Sequence, residues 1–218
     1  MKESPPTLDH DALARWCEEL PVFPLPGMVL LPGQLLPLHI FEPRYRALLQ
    51  HCMMNQPVLG IATPKVDAPP TQDDPPLHRL MGIARVVRYQ PLGDGRSDIL
   101  LQCIGRVRME EEQKTTFPFR VVRAALCEND ATGGARMHRG LRQLLLQLAS
   151  AAPRATDEVE RLLKLKPGQL LNALANQLLD NPGDRLAYLK LDRQSKRVDV
   201  VESRLARYFE TQHPFGES

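Results

Sequence analysis

The apolar positions of this chain follow two different periods. Up to about residue 128 they come as short runs rich in β-branched residues, Val58 to Thr63, Gly82 to Tyr89, Ile99 to Ile104 and Phe119 to Ala124, set apart by prolines and glycines. Runs of that length and composition predict strands. Between the second and third lies Pro91-Leu92-Gly93-Asp94-Gly95-Arg96, whose Asp-Gly step tolerates positive φ and predicts a tight antiparallel hairpin. One helix is expected from Pro43 onward, because proline suits a first helical turn and Tyr45, Leu48, Leu49 and Cys52 then share a face.

Beyond the polar, glycine-containing stretch 129–135 the period becomes helical. Met137, Leu141, Leu144, Leu145 and Leu148 form one stripe, Leu170, Leu171, Leu174 and Leu178 a second, and Val198, Val201, Leu205 and Tyr208 a third. Pro153, Pro167-Gly168 and Pro182-Gly183 punctuate the gaps. The expected fold class is therefore α+β, a β-barrel-like unit followed by a small helical bundle. The expected boundaries are a leader over 1–19 able to form a helix, a β-rich subdomain over 20–128, a linker over 129–135, a helical subdomain over 136–212 and a tail over 213–218. Val66 to Pro76, with four prolines and three aspartates, reads as an exposed loop. The segments do not repeat, which argues against a solenoid.

A chain of 218 residues can bury a substantial core without staples, and a net charge of +2 demands no polyanionic partner. Cys17, Cys52, Cys103 and Cys127 are widely spaced and form no C-x-x-C pair, so they read as reduced, buried thiols. The acidic, proline-bearing N-terminus does not resemble a secretory signal. The most apolar stretch, Leu20 to Phe41, is broken by five prolines that a membrane-spanning helix would not carry. A cytoplasmic protein without a membrane partner is expected.

Chemistry is sparse. No G-x-x-x-x-G-K-[ST] run offers a phosphate cradle, no serine stands in G-x-S-x-G, and the histidines lack H-E-x-x-H spacing. Ser195-Lys196 is a neighbour pair in a polar connector. His39 and Glu42, in Leu38-His39-Ile40-Phe41-Glu42, are the one pair worth testing as ligands or as an acid/base couple. Their ordinary reading is a partly buried strand residue and a carboxylate at a helix start. No catalytic residue, metal site or cofactor is expected. Lys190, Arg193, Lys196 and Arg197 form a basic cluster able to meet phosphates, interleaved with Asp192 and Asp199 and lacking aromatic neighbours for stacking.

Leu20-Pro21-Val22-Phe23-Pro24-Leu25-Pro26-Gly27, continuing through Val29-Leu30-Leu31-Pro32-Gly33 to Leu38-His39-Ile40-Phe41-Glu42-Pro43-Arg44-Tyr45, resembles the opening of Lon N-terminal domains. Gly60-Ile61-Ala62, Met81 to Val86, Leu92 to Arg96, Gly105 to Arg108 and Pro118 to Val121 are similar to that family's later strands and hairpin, so the resemblance covers about residues 20 to 210. It implies a PUA-like pseudo-β-barrel and a helical subdomain, free-standing, with neither the ATPase nor the peptidase of the full protease. It also implies a non-catalytic module for unfolded or exposed-hydrophobic polypeptides, an adaptor or chaperone-like factor working with a protease or chaperone in trans.

A proline-rich apolar loop is preorganised for such contacts, and thioethers adapt to varied partners. The candidate peptide-binding residues are accordingly Leu25, Pro26, Met28, Val29, Leu30, Met53 and Met54, with strand edges open to an added strand. The alternative partner is RNA, through Lys190, Arg193, Lys196 and Arg197. An enzyme built on His39 and Glu42 is the third reading.

Overall fold

Val58–Ala62 carries no polar side chain, as a strand must when both of its faces are covered, and all five positions are buried. It is β3 of a six-stranded sheet whose other strands are β1 (Leu20–Pro24), β2 (Leu35–Ile40), β4 (Leu80–Pro91), β5 (Ser97–Gln113) and β6 (Arg120–Leu126). The computed structural model describes residues 10–65, 75–127, 134–151 and 156–212. It divides the chain into two compact units, Met1–Cys127 and Glu128–Ser218. The expected leader up to residue 9, most of the 66–76 loop, most of the 129–135 linker and the 213–218 tail lie outside the described residues.

The strand order is β2-β5-β4-β3-β1-β6, and β6 returns to pair with β5, so the sheet closes on itself. β1 and β3 run parallel, Val22 opposite Gly60, and every other pairing is antiparallel. The 17-residue β5 makes closure possible by serving two neighbours in turn: its first part pairs with β2, Leu35 opposite Gln102, and its last part with β6, Gln113 opposite Val121. Register shifts at Ile83/Ala84, Val86/Arg88 and Met109/Glu111 bend the long strands.

Helix α2 (Pro43–Met54) buries the expected face, Tyr45, Leu48, Leu49 and Cys52, in a core shared with Phe23, Leu59, Ile61, Ile99 and Leu101. The alternate residues of the same strands, Leu20, Val22, Val58 and Ala62, join Met81, Ile83, Val107 and Val122 in a second core, which receives Leu13 and Trp16 around helix α1 (His10–Cys17). The hairpin forms where expected. Gly95 takes φ 82°, and Leu92 N–H donates to Arg96 O at 2.8 Å. Arg96 bonds the Asp94 carboxylate, which holds that carboxyl down at about 2.

The second unit contains α3 (Gly134–Ala151), α4 (Thr156–Leu163), α5 (Pro167–Leu178), α6 (Pro182–Leu189) and α7 (Gln194–Gln212). Pro167 and Pro182 open their helices at positions where no amide partner is needed. Asn181 Oδ1 accepts from Asp184 N–H at 2.8 Å to cap α6. Leu141, Leu145, Leu170, Leu171, Leu174, Val198, Val201 and Leu205 are buried as the stripes predict, whereas Tyr208, expected on the third stripe, is exposed.

Where the 25–34 segment crosses β4, a Cβ at Gly82 would lie 2.5 Å from the Leu30 carbonyl oxygen and 3.0 Å from Cys103 Sγ. Gly82→Ala should therefore lower unfolding free energy by about 1–3 kcal/mol through overpacking. Gly93→Ala, with open space around it, should stay within about 0.5 kcal/mol of wild type. Urea denaturation with unchanged m-values measures both; equal midpoints for the two variants would remove the close crossing from the account.

Candidate functional site

Two Pro-Gly steps shape the first candidate segment. Gly27 (φ 70°) and Gly33 (φ 82°) each follow a proline, and Met28 N–H donates to Leu25 O at 3.2 Å while Gln34 N–H donates to Leu31 O at 3.1 Å. These are two turns with proline second and a left-handed glycine third. The stretch between them is held down by Leu25 N–H to Ala62 O (2.9 Å), Gly33 N–H to Cys103 O (2.9 Å) and the Thr63 hydroxyl to Met28 O.

The consequence corrects part of the candidate list. Val29 and Leu30 are 2% and 0% exposed, and Leu30 belongs to the α2 core. Both are core residues that a bound peptide cannot reach. Leu25 and Met28 are half-buried against the same core, and Pro26 stands exposed at the tip of the first turn. Burial separates these residues where their apolar character did not.

The other candidates lie on the surface. Met53 and Met54, at the C-terminal end of α2, are 48% and 76% exposed. Beside the same helix end, His51 meets Phe117 edge-on with centroids 4.9 Å apart, and Phe117 stacks on Phe119 at 4.9 Å with planes 9° apart. Phe119 is buried, so its ring is fixed, and it braces the exposed Phe117 ring against the barrel. A pair of adaptable thioethers and a braced aromatic ring thus stand on the same compact unit. Phe117 was not among the sequence candidates; its signal was the Phe117-Pro118-Phe119 triplet before a strand. Leu35 and Phe41, exposed at the two ends of β2, were missed as well.

His39 and Glu42 do not act as a couple. His39 is exposed, contrary to the expected partial burial, and its Nδ1 lies 2.7 Å from Asp98 Oδ1, the directly opposite residue on β5. Glu42 occupies the cap position of α2 without a side-chain cap bond, and its carboxylate instead accepts from Arg44 Nε at 3.1 Å. Among the described residues no group of three His, Cys, Asp or Glu is placed to hold a metal ion.

The basic cluster is split. Arg197 is 4% exposed and turns inward, donating from Nε (2.8 Å) and Nη2 (2.6 Å) to Leu191 O just beyond α6. Lys196 Nζ lies 3.4 Å from Asp199 Oδ2. Lys190 and Arg193 remain exposed. Two other arginines do the same work as Arg197: Arg142 Nη1 donates to Leu163 O at the end of α4, and Arg185 donates to Asn176 O and Leu179 O at the end of α5. Arg142 and Arg185 serve carbonyls at the C-terminal ends of their target helices, which have no partner within the helix and lie at the negative end of its dipole, and Arg197 serves one two residues past the end of α6.

Residues 19–207 match the family model described as the ATP-dependent protease La (LON) substrate-binding domain. A Lon protease of Trichlorobacter lovleyi is 25% identical over 213 residues, covering 94% of this chain and 26% of that protein. A Lon protease of Roseiflexus castenholzii is 28% identical over 199 residues, covering 87% and 24%. The chain thus spans about a quarter of the length of these curated relatives. Among solved structures, the N-terminal domain of Mycobacterium avium complex Lon protease superposes with a TM-score of 0.65 at 18% identity, covering 86% of this chain and 98% of that one. A Lon N-terminal domain protein from Xanthomonas campestris gives 0.59 at 21% identity, covering 85% and 97%. The two structures share the fold read from the strand order and the helical unit.

Two outcomes are expected from this geometry. Arg197→Ala should destabilise the chain by about 1.5–3 kcal/mol, the worth of charge-assisted bonds from a buried guanidinium to a part-buried carbonyl. Lys190→Ala and Arg193→Ala should change the thermal midpoint little; a midpoint unmoved in Arg197→Ala as well would contradict the capping role. For the thiols, burial pushes Cys17 up to about 11, with the Glu18 charge adding to it, and Cys52 and Cys103 up to about 12. At pH 8 a chromogenic disulfide reagent should label the half-buried Cys127 first and the other three only on unfolding, as peptide mass mapping would read.

Proposed function

The chain belongs to the LON substrate-binding domain family, and on that premise we propose that it is a non-catalytic module recognising unfolded polypeptides and exposed apolar segments. It would hold them as an adaptor or chaperone-like factor for a protease or chaperone acting in trans. The observation that carries this reading is the surface at the end of α2, where Met53 and Met54 stand exposed on a helix whose opposite face is locked into the core, and Phe117, exposed ahead of β6, meets the same helix end through His51. Apolar groups held out on a rigid support lose little further entropy when a partner docks. Methionine adapts to side chains of different shape while the aromatic ring supplies a fixed plane, a combination suited to many sequences rather than one.

Cysteines held as thiols, three of them buried, support a reducing, cytoplasmic setting. Among the described residues no helix is long and apolar enough to cross a membrane. The inward-facing Arg197 takes away one of the four residues on which an RNA reading would rest.

A fluorescence anisotropy titration with a reduced, carboxymethylated model polypeptide tests the proposal. Saturable, ATP-independent binding with a dissociation constant on the order of 1–10 µM is expected, and the folded, disulfide-intact form of the same polypeptide should not compete. Met54→Glu combined with Phe117→Ser should weaken binding about tenfold or more, about 1.4 kcal/mol, without altering the unfolding midpoint by more than a few degrees. Absence of saturable binding at about 100 µM would sink the reading, since that limit leaves less than about 5.5 kcal/mol of affinity.

A further inference from the structure

Every described strand except β2 has a neighbour on each side. β1 lies between β3 and β6, β3 between β4 and β1, β4 between β5 and β3, and β6 between β1 and β5. Among the described residues β2 pairs with β5 alone, so this strand has a ladder along one side over its whole length and an open edge along the other, whereas the strands that close the barrel are open only at their ends, as β4 is beyond Arg85.

The direction of that edge can be read from the ladder. Cys103 N–H donates to Gln34 O at 2.9 Å, so Gln34 and Cys103 are a hydrogen-bonded pair, and in an antiparallel ladder such pairs alternate. Leu36, Leu38 and Ile40 therefore turn their backbone groups toward β5. Leu35, Pro37 and His39 turn theirs away from it. Pro37 fits this phase, since a proline at an inward position would leave a β5 carbonyl without a donor. The 2.7 Å contact of His39 with Asp98 fits it too, because side chains approach most closely in the non-hydrogen-bonded pairs.

The open edge thus offers the amides of Leu35 and His39 and the carbonyls of Leu35, Pro37 and His39. They repeat about every 6.8 Å, twice the rise of a strand residue. Leu35 and Phe41, 52% and 60% exposed, stand at its two ends. The two carboxylates nearby already have partners, Asp98 in His39 and Glu42 in Arg44.

We propose that β2 is a strand-addition site, at which an extended, uncharged segment of an unfolded polypeptide pairs its backbone with the open edge while its apolar side chains rest on Leu35 and Phe41. This rests on the polypeptide-binding reading above and specifies its mode. An alternating N–H and C=O repeat of this spacing is matched only by another extended peptide backbone. A second copy of β2 is a poor occupant. Antiparallel pairing of two such edges sets Pro37 against Pro37, or against another residue of the same edge twice, and each arrangement loses two amide donors. Side-chain identity counts for little in ladder bonds, so the mode also accounts for tolerance of many sequences.

Two measurements on the full chain test this. Hydrogen exchange followed by NMR, with and without the reduced, carboxymethylated polypeptide, should slow the Leu35 and His39 amides at least about tenfold at saturation. An eight-residue probe of alternating valine and threonine with terminal lysines should bind. N-methylation of one alternate set of its residues should weaken binding more than about tenfold, and methylation of the other set less than about twofold, because only one set faces β2. His39→Pro, which removes one outward amide, should weaken the probe similarly; the exchange data stand even if that variant folds poorly.

If the polypeptide binds but the two amides exchange unchanged and both methylated probes bind alike, strand addition is wrong while polypeptide recognition stands. If neither polypeptide nor probe binds, both fall. Slowing of the same amides with rising protein concentration alone, with a dimer in sedimentation, would assign the edge to a second copy and overturn the proposal.

Discussion

Where the backbone of Leu30 passes over β4 there is no room for a side chain, and Gly82 supplies the vacancy. The apolar stretch between the two Pro-Gly turns can then drop Val29, Leu30 and Leu31 into the interior instead of skirting the barrel. That inward passage delivers the chain to β5 at Gln34 and starts β2 in register. α2 follows at once, its buried face closing the core that Leu30 has entered. A side chain at position 82 would lift the crossing, and with it the placement of β2 and the helix that presents Met53 and Met54.

Much of this was legible in the chain, and the parts that were not have identifiable reasons. The helix at Pro43, the hairpin at Asp94-Gly95 and the buried stripes of α3, α5 and α7 follow from local period and turn chemistry, which act within a few residues. β1 was hidden because Pro21 and Pro24 argue against a central strand. Both sit near its ends, and pairing with β3 begins only at Val22. β5 proved far longer than its apolar run because its last part, Glu110 to Gln113, leaves the core and pairs with β6 as an exposed ribbon. The candidate surface was the least legible feature. Val29 and Met54 are both apolar, and it is the tertiary fold that covers the first and leaves the second exposed.

In the helical unit, charge is spent on backbone. Arg142, Arg185 and Arg197 each reach carbonyls at or just past a helix end, and burial lowers the Arg185 pKa without removing its proton. Short helices of eight residues, such as α4 and α6, have little internal hydrogen bonding and gain most from external caps. A cluster of basic residues in sequence therefore need not be a cluster on the surface. The side chains that look like phosphate ligands include one that holds the α6–α7 junction together.

The pairing of β1 with β6 carries a consequence for biosynthesis. Leu20 meets its partner Val122 only after roughly a hundred further residues have been added, a high contact order for a unit of this size. At translation rates of about 5–20 residues per second, that is an interval of roughly 5–20 s in which β1 lacks its β6 partner. During this time the nascent chain itself displays unpaired strand edges and apolar side chains, the features by which unfolded polypeptides are recognised. A module that captures such segments would then be, for the length of its own synthesis, among the first substrates available to its finished copies.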